Sequence, residues 1–296
     1  MFLIAILYLA FAATFPLTKI ILNHTDSVMF LMGTRMLIGG AILLVYRTIV
    51  GGTEQKMSRW DWLSITKNGV FGFFIAFALE FWALRYLPSI KVNLFYSFAP
   101  FVGAIMGYFF LQEKMYLKKW IGLAIGFAGM IAILLGEEGA SVGGGFFSIS
   151  MPELAILGGV VSATYAWFFV QNLARRGHSI TFINGVSMVL AGAMFMITHY
   201  AVYPSNPMPV SNHNIFWSGV AALIVLANFI AFPLYGYLLK FYTVTFMSFA
   251  GFLCPLFGAI IGYLMLGETV TITMIIGFIA ITIGLYLFYL EETTQK

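Results

Sequence analysis

The sequence is poor in charge. Of its 296 residues, only 9% are charged and 61% are hydrophobic, whereas a soluble domain usually carries about 25% charged residues. Such a chain has too little polar surface to cover a globule in water. The composition therefore excludes an ordinary soluble domain and predicts an all-α integral membrane protein in contact with the lipid bilayer.

The sequence also lacks the features of several other classes. A single cysteine, Cys254, excludes an internal disulfide framework. There is no phosphate-binding glycine loop and no His-Glu-x-x-His or Gly-x-Ser-x-Gly motif, and the histidines share no metal-ligand spacing. We therefore expect no enzymatic activity, no cofactor and no metal. The net charge of +4 is typical of basic membrane-protein loops, so we expect no nucleic-acid partner.

Apolar runs fill almost all of the chain. Short breaks rich in glycine, proline and asparagine separate them. The N-terminal run lacks the basic flank of a signal peptide, so we interpret it as the first span. The sequence predicts ten membrane-spanning helices, at 2–22, 28–49, 62–85, 90–111, 118–136, 153–174, 180–202, 215–239, 244–266 and 270–290.

The basic residues orient these spans. Ten spans place both chain ends on one side of the membrane. If that side is the cytoplasm, most lysines and arginines lie inside, and only Arg85 and Lys91 lie in outer loops. This bias predicts cytoplasmic termini, and we expect the protein in a bacterial inner (plasma) membrane.

The chain contains an internal repeat. The stretch PFVGAIMGYFFLQEK from Pro100 recurs as PLFGAIIGYLMLGET from Pro255, with the glycines, the tyrosine and the glutamate in register. Two five-span halves have opposite orientations in the membrane because five is odd. Lys114, Lys118 and Lys119 lie in a cytoplasmic loop, and the second copy, which faces outward, lacks them. We predict two inverted five-helix repeats, 1–136 and 153–296, joined by a linker, 137–152.

This pattern resembles the EamA-type transporters of the drug/metabolite transporter superfamily over the whole chain. The family implies a secondary transporter, often an exporter of amino acids or other small metabolites. Inverted halves can exchange conformations and open a central site to either side in turn. The resemblance rests on Gly103-x-x-x-Gly107 to Glu113, Gly258-x-x-x-Gly262 to Glu268, the segment AATFPLTK at 12–19, and Arg35.

Two charged residues lie deep in predicted spans. Arg35 in span 2 and Glu80 in span 3 are at similar depth, and an ionised side chain in hydrocarbon is costly unless it is paired or hydrated. We expect them to pair or to share one aqueous cavity. Two interpretations stay open: a fixed ion pair that joins two helices, or a site where Glu80 binds a proton or cationic group and Arg35 or Lys19 faces a carboxylate.

Prolines and polar side chains indicate the walls of this cavity. Proline removes a backbone hydrogen bond and can kink a helix, so the predicted hinges are Pro16, Pro100, Pro233 and Pro255. Aromatic and amide side chains gather near them, which suits an amphipathic organic solute. Besides Arg35, Glu80 and Lys19, the candidate substrate-binding residues are Thr14, Trp82, Asn93, Tyr96, Tyr165, Trp167, Asn228, Tyr235 and Ser248. For each aromatic residue, plain packing is the alternative.

The sequence thus predicts a secondary transporter that exports a small organic metabolite, an amino acid or a related amphipathic solute, by alternating access. Uphill movement would use a proton gradient or another gradient. A membrane-embedded enzyme or lipid-handling protein is one alternative, although no cluster of catalytic groups is visible. A channel or receptor is another, although a pore needs a continuous polar stripe. The oligomeric state is not predicted.

Overall fold

The computed structural model describes residues 2–51, 56–87, 92, 95–96, 98–111, 115–136, 150–254, 256–257, 261 and 272–294. This part of the chain is helical and forms no β-strand, as the composition predicted. The helices are α1 (Phe2–Leu22), α2 (Val28–Val50), α3 (Arg59–Lys67), α4 (Ala76–Leu84), α5 (Ala99–Leu111), α6 (Leu117–Gly136), α7 (Met151–Arg175), α8 (Ile180–Val202), α9 (His213–Leu223), α10 (Phe232–Leu238), α11 (Val244–Ala250) and α12 (Ile272–Thr294).

Two of the predicted spans contain a π-helical segment, whose turns are wider than those of an α-helix. Residues Asn68–Ile75 form a π-helical segment that joins α3 to α4, and Ile224–Ala231 form another that joins α9 to α10. Each ends about one helical turn before the aligned residues Glu80 and Tyr235. The sequence did not predict these segments, which are rare and are frequent at functional sites.

Six helical runs among the described residues are long and apolar enough to cross a membrane. The other predicted spans, 90–111, 118–136, 244–266 and 270–290, each include positions outside the described backbone or side chains, so the number ten stays a prediction. The six runs are Phe2–Leu22, Val28–Val50, Arg59–Leu84, Met151–Arg175, Ile180–Val202 and His213–Leu238.

Polar residues fix where several helices begin. A side-chain oxygen just before the helix accepts a hydrogen bond from a backbone N–H in the first turn, which would otherwise have no partner. Ser27 accepts from the Phe30 amide at 3.2 Å at the start of α2, and Asn212 accepts from the Ile215 amide at 3.2 Å at the start of α9. Gly51, at φ 73°, ends α2 in a conformation that glycine adopts easily.

Most helix–helix contacts join a helix from the first part of the sequence to one from the second part. α2 lies along α8, α6 along α12, α1 against the α9–α10 run, and α7 against the α3–α4 run. Glycines permit the closest approaches: a Cβ added at Gly122 would lie 2.7 Å from the Gly284 carbonyl oxygen. The core is therefore a set of seams between the first and second parts of the chain.

Candidate functional site

A cavity of ≈ 190 Å³ lies among the helices. Its wall comes from α1, α2, the α3–α4 run, α7, α10 and the segments around α5 and α11. The polar lining residues are Thr14, Thr18, Arg35, Glu80, Thr164 and Ser248. The aromatic lining residues are Tyr8, Phe11, Phe77, Phe81, Tyr96, Trp167, Phe232 and Tyr235.

Arg35 presents its guanidinium to this cavity. The residue is 3% exposed, and its Nε donates to Asn228 Oδ1 at 3.1 Å. The guanidinium carbon lies 5.8 Å from the centre of the Phe77 ring. Among the described residues, Asn228 is the only hydrogen-bond partner of Arg35, so both Nη atoms keep their donors available for a ligand.

Glu80 lines the same cavity from α4. It is 5% exposed and accepts a hydrogen bond of 2.5 Å from the Tyr96 hydroxyl to Oε2. Glu80 is close enough to Arg35 for electrostatic attraction. The ion pairs within the described part lie elsewhere, at Arg176–Asp61 and Lys118–Glu291. Arg35 and Glu80 thus share a cavity without direct contact.

Aromatic rings form the opposite part of the wall. The rings of Trp167 and Tyr235 stack with centroids 4.0 Å apart, and Phe11 contacts Phe232 edge-on at 5.5 Å. The Tyr8 hydroxyl, which lines the same wall, donates to the Met247 carbonyl oxygen. This bond and the ring contacts hold the aromatic wall together.

Most of the candidate residues lie at this cavity. Thr14, Arg35, Glu80, Tyr96, Trp167, Tyr235 and Ser248 line it. Asn228 is fully buried directly behind Arg35.

Three candidates lie away from the cavity. Lys19 is near the end of α1 in a polar depression with Asn23, Asp26 and Arg85. Trp82 is 40% exposed and its ring contacts Tyr86. The ring of Tyr165 contacts Phe71, Phe110 and Phe169. Asn93 lies outside the described residues.

The predicted hinge prolines fall in different settings. Pro233 is the second residue of α10, directly after a π-helical segment, and Pro100 is the second residue of α5. Pro100 is in the first turn of its helix, where a proline removes no intrahelical hydrogen bond, whereas Pro233 lies inside the continuous run His213–Leu238 and has no N–H to donate to the preceding turn. Pro16 lies inside α1, which continues past it without interruption. Pro255 lies outside the described residues.

Sequence reasoning missed several lining residues, namely Tyr8, Phe11, Phe77, Thr164, Phe232 and Cys254. The repeat contained a usable indication for some of them. Thr164 aligns with Thr14 and Phe232 aligns with Phe77, so a lining residue in one half points to its counterpart. In the described part of the chain, no group of three or more His, Cys, Asp and Glu residues could hold a metal ion.

A solved structure has the same fold. It superposes with a TM-score of 0.75 at 20% identity, and the match covers 99% of this chain and 96% of that one. The apolar helical runs that enclose this cavity define an α-helical integral membrane protein.

The sequence profile of the EamA-like transporter family matches residues 1–135 and 150–290. The chain belongs to this family, which confirms the resemblance inferred from its motifs. It is 30% identical over 297 residues to an S-adenosylmethionine/S-adenosylhomocysteine transporter of Chlamydia muridarum, covering 99% of this chain and 92% of that protein. The protein of the same description from Chlamydia trachomatis serovar L2 is also 30% identical, over 99% and 90% of the two chains.

Proposed function

We propose that this protein is a secondary transporter for a zwitterionic metabolite that combines an amino-acid group with a flat aromatic ring. The observation that carries the proposal is the placement of Arg35 and Glu80 in one cavity beside stacked aromatic rings. Membrane spans tolerate buried charge chiefly where it serves a ligand, an ion path or another charge. Here each charged group retains hydrogen-bonding capacity toward the cavity.

The chemistry of the two charges is complementary to an α-amino acid. A guanidinium binds a carboxylate through parallel N–H donors, and Arg35 has both Nη atoms available for this. Glu80 accepts one hydrogen bond from Tyr96, and a carboxylate has further acceptor sites for an ammonium group or a proton. Aromatic faces attract cations and stack with planar rings.

The named relatives make S-adenosylmethionine and S-adenosylhomocysteine the first candidates. Each has an α-carboxylate, an α-amino group and an adenine ring, and S-adenosylmethionine also carries a sulfonium cation. These groups match the guanidinium, the carboxylate and the aromatic wall of the cavity. Export of an amino acid or related solute remains our proposal for direction, and the activity is transport rather than enzymatic conversion.

Alternating access would follow from two inverted five-helix repeats, 1–136 and 153–296, with a linker at 137–152. Two observations support this architecture: helices of one half pack on helices of the other, and π-helical segments occur within one residue of aligned positions. In this account ten spans cross a bacterial inner membrane, and both termini are cytoplasmic. A proton or another solute supplies the gradient.

Uptake by the purified protein in liposomes tests the proposal. Labelled S-adenosylmethionine and S-adenosylhomocysteine are offered with and without a pH gradient to wild type, Arg35→Gln and Glu80→Gln. We expect saturable uptake by wild type and a loss of about tenfold or more in each variant, because a hydrogen bond to a charged group contributes about 1.5–3 kcal/mol. Loss of pH-gradient response in Glu80→Gln alone would indicate that Glu80 carries the coupled proton.

Two matched variants control for charge removal. Arg47→Gln and Glu291→Gln remove an arginine and a glutamate that lie outside the cavity lining, and we expect near-wild-type uptake. If the Arg35 and Glu80 variants transport as well as these controls, the two charges are structural and the proposed site is wrong. If correctly folded wild type moves neither solute, the substrate class is wrong.

A further inference from the structure

We infer that the cavity is bipolar and binds its substrate in one direction, with the amino-acid group at an ionic end and a purine-type ring at an aromatic end. The inference rests on the proposed function and deepens it by assigning two subsites. The ionic end consists of Arg35, Glu80 and Tyr96, and Asn228 lies behind Arg35 and fixes its guanidinium. The aromatic end consists of Tyr8, Phe11, Trp167 and Tyr235.

Positions along the α9–α10 run give the distance between the two ends of the cavity. Asn228 contacts Arg35, Phe232 lies one turn further along, and Tyr235 lies another turn beyond. Seven residues separate Asn228 from Tyr235, which corresponds to about 10 Å along a helix. The ionic and aromatic ends are therefore distinct places along one axis.

Contacts from other helices give the same order. The guanidinium of Arg35 lies over Phe77, and the Phe77 ring contacts Phe232 at 6.1 Å, so this pair marks the middle of the cavity. Beyond it, Tyr235 contacts Trp167 at 4.0 Å and Phe11 at 6.3 Å. Four separate chain segments thus place charge at one end and rings at the other.

The aromatic end suits a neutral flat ring. Its described lining carries no charged side chain, so a second charged group would be desolvated there without a partner. Trp167 and Tyr235 stack on each other at 25° with centroids 4.0 Å apart, so the pair can offer a planar ligand only its outer faces. Nucleobases stack on such faces. The ionic end, in contrast, offers a fork of donors and a carboxylate, which an α-amino acid satisfies.

Two fragments separate the subsites experimentally. L-Methionine carries the amino-acid group without a purine, and 5′-methylthioadenosine carries the purine without the amino-acid group. Binding of a ligand to the folded state raises the melting temperature. The rise is measured for each fragment, and for S-adenosylhomocysteine, on the purified full chain in detergent for wild type, Arg35→Gln and Trp167→Leu.

The expected result is a crossed pattern. Trp167→Leu should weaken binding of 5′-methylthioadenosine at least about tenfold, as loss of base stacking does, and leave L-methionine within about twofold. Arg35→Gln should do the reverse. Phe11→Leu, on a different helix, tests the aromatic end again if Trp167→Leu does not fold. Trp217→Leu and Arg47→Gln, at positions that do not line the cavity, should behave as wild type.

The only cysteine of the chain gives an independent readout. Cys254 lines the cavity, and its Sγ lies 3.7 Å from the Tyr8 carbonyl oxygen. We expect 5′-methylthioadenosine to slow alkylation of Cys254 by N-ethylmaleimide several-fold, and L-methionine at equal occupancy to slow it less.

The outcomes separate this inference from the proposed function. If S-adenosylhomocysteine stabilises wild type but both variants lose both fragments equally, the site is undivided and the inference alone is overturned. A reversed pattern would overturn the assignment of the two ends. If none of the three compounds stabilises folded wild type, the proposed function itself is overturned together with the subsites.

Discussion

At the scale of single residues, Asn228 determines how Arg35 faces the cavity. Its Oδ1 accepts from Arg35 Nε, and its Nδ2 lies 3.2 Å from the sulfur of Met188. Gly39 makes room for it, because a Cβ at Gly39 would lie 2.6 Å from Asn228 Nδ2. Asn228 therefore holds the Nε edge of the guanidinium, and this contact sets the direction in which the Nη edge points.

Replacing Asn228 tests this positioning. In Asn228→Ala, Arg35 keeps its charge but loses the acceptor that fixes its orientation. We expect the KM for the transported solute to rise about tenfold, since hydrogen bonds to charged groups contribute about 1.5–3 kcal/mol. Uptake kinetics in liposomes measure the KM, and Asn228→Gln should recover part of the loss.

Asn184 provides a matched control. It is also fully buried, but neither its Oδ1 nor its Nδ2 has a hydrogen-bond partner among the described residues. Asn184→Ala should leave the KM unchanged and should not lower the melting temperature. An equal rise in KM in both variants would mean that Asn228 acts only through general packing.

The sequence predicted the charged residues of the site better than its aromatic ones. Burying Arg35 and Glu80 in apolar spans is costly, so their depth alone indicated a shared environment. Trp82 lies two residues after Glu80, which turns it about 200° around the helix and away from the cavity. Tyr165 has the same relation to Trp167. Trp82 and Tyr165 were predicted because they lie near prolines. Helical periodicity would have placed both on a different face from Glu80 and Trp167.

The Asn228–Arg35 contact could not be predicted from sequence. It joins α2 to the π-helical segment Ile224–Ala231, and a π-helical turn changes which side chains share a face. Nothing in the run IVLANFIA distinguishes this segment from an ordinary apolar helix. The bond therefore depends on a local geometry that only the packed structure supplies.

At the scale of secondary-structure elements, capping residues and turns set where helices begin and end, and glycines allow particular helices to pack closely. The edges of α1, α2 and α8 agree closely with the predicted spans 2–22, 28–49 and 180–202, because capping residues and turns mark them. The closest seam, between α6 and α12, depends on positions without a Cβ. A Cβ at Gly122 would lie 2.7 Å from Gly284 O and 3.3 Å from Phe288 N.

A larger residue at Gly122 should separate these helices. In Gly122→Val, the obstacle is backbone on the facing helix, which cannot rotate away as a side chain can. We expect destabilisation of about 1–3 kcal/mol, the usual cost of overpacking, seen as a lower melting temperature in detergent.

Ala124→Val is the control on the same helix. Ala124 is exposed, so the variant adds the same β-branched side chain without a facing backbone. Its melting temperature should stay near that of wild type. Equal losses in both variants would attribute the effect to a valine anywhere on this helix rather than to the seam, since helix propensity alone favours valine over glycine.

At the scale of the whole molecule, the charged residues that line the cavity are divided unequally between the two parts of the chain. Glu80 aligns with Tyr235, and Arg35 aligns with Ser187. Both cavity charges therefore come from the first part, while Trp167, Phe232 and Tyr235 come from the second. Ser187 is hydrogen-bonded to the Asn68 side chain and to the Ile65 carbonyl oxygen. Its side chain therefore joins helices and does not line the cavity.

Ionic contacts join the two parts at one end of the molecule. Asp61, at the start of α3, is 3.1 Å from Arg176 and 3.6 Å from His178 in the turn between α7 and α8. The same carboxylate accepts hydrogen bonds from the amide and hydroxyl of Ser58. If the two parts rock against each other as proposed, these contacts would break.

Counterflow in liposomes tests the central claim most directly. Wild-type protein is reconstituted into vesicles loaded with unlabelled S-adenosylhomocysteine, and labelled S-adenosylmethionine is supplied outside at low concentration. An alternating-access carrier for this class of zwitterion should accumulate label transiently, with saturation, and far faster than vesicles loaded with buffer. Label entry that is independent of the internal solute and linear in concentration, or no entry by folded protein, would contradict the account.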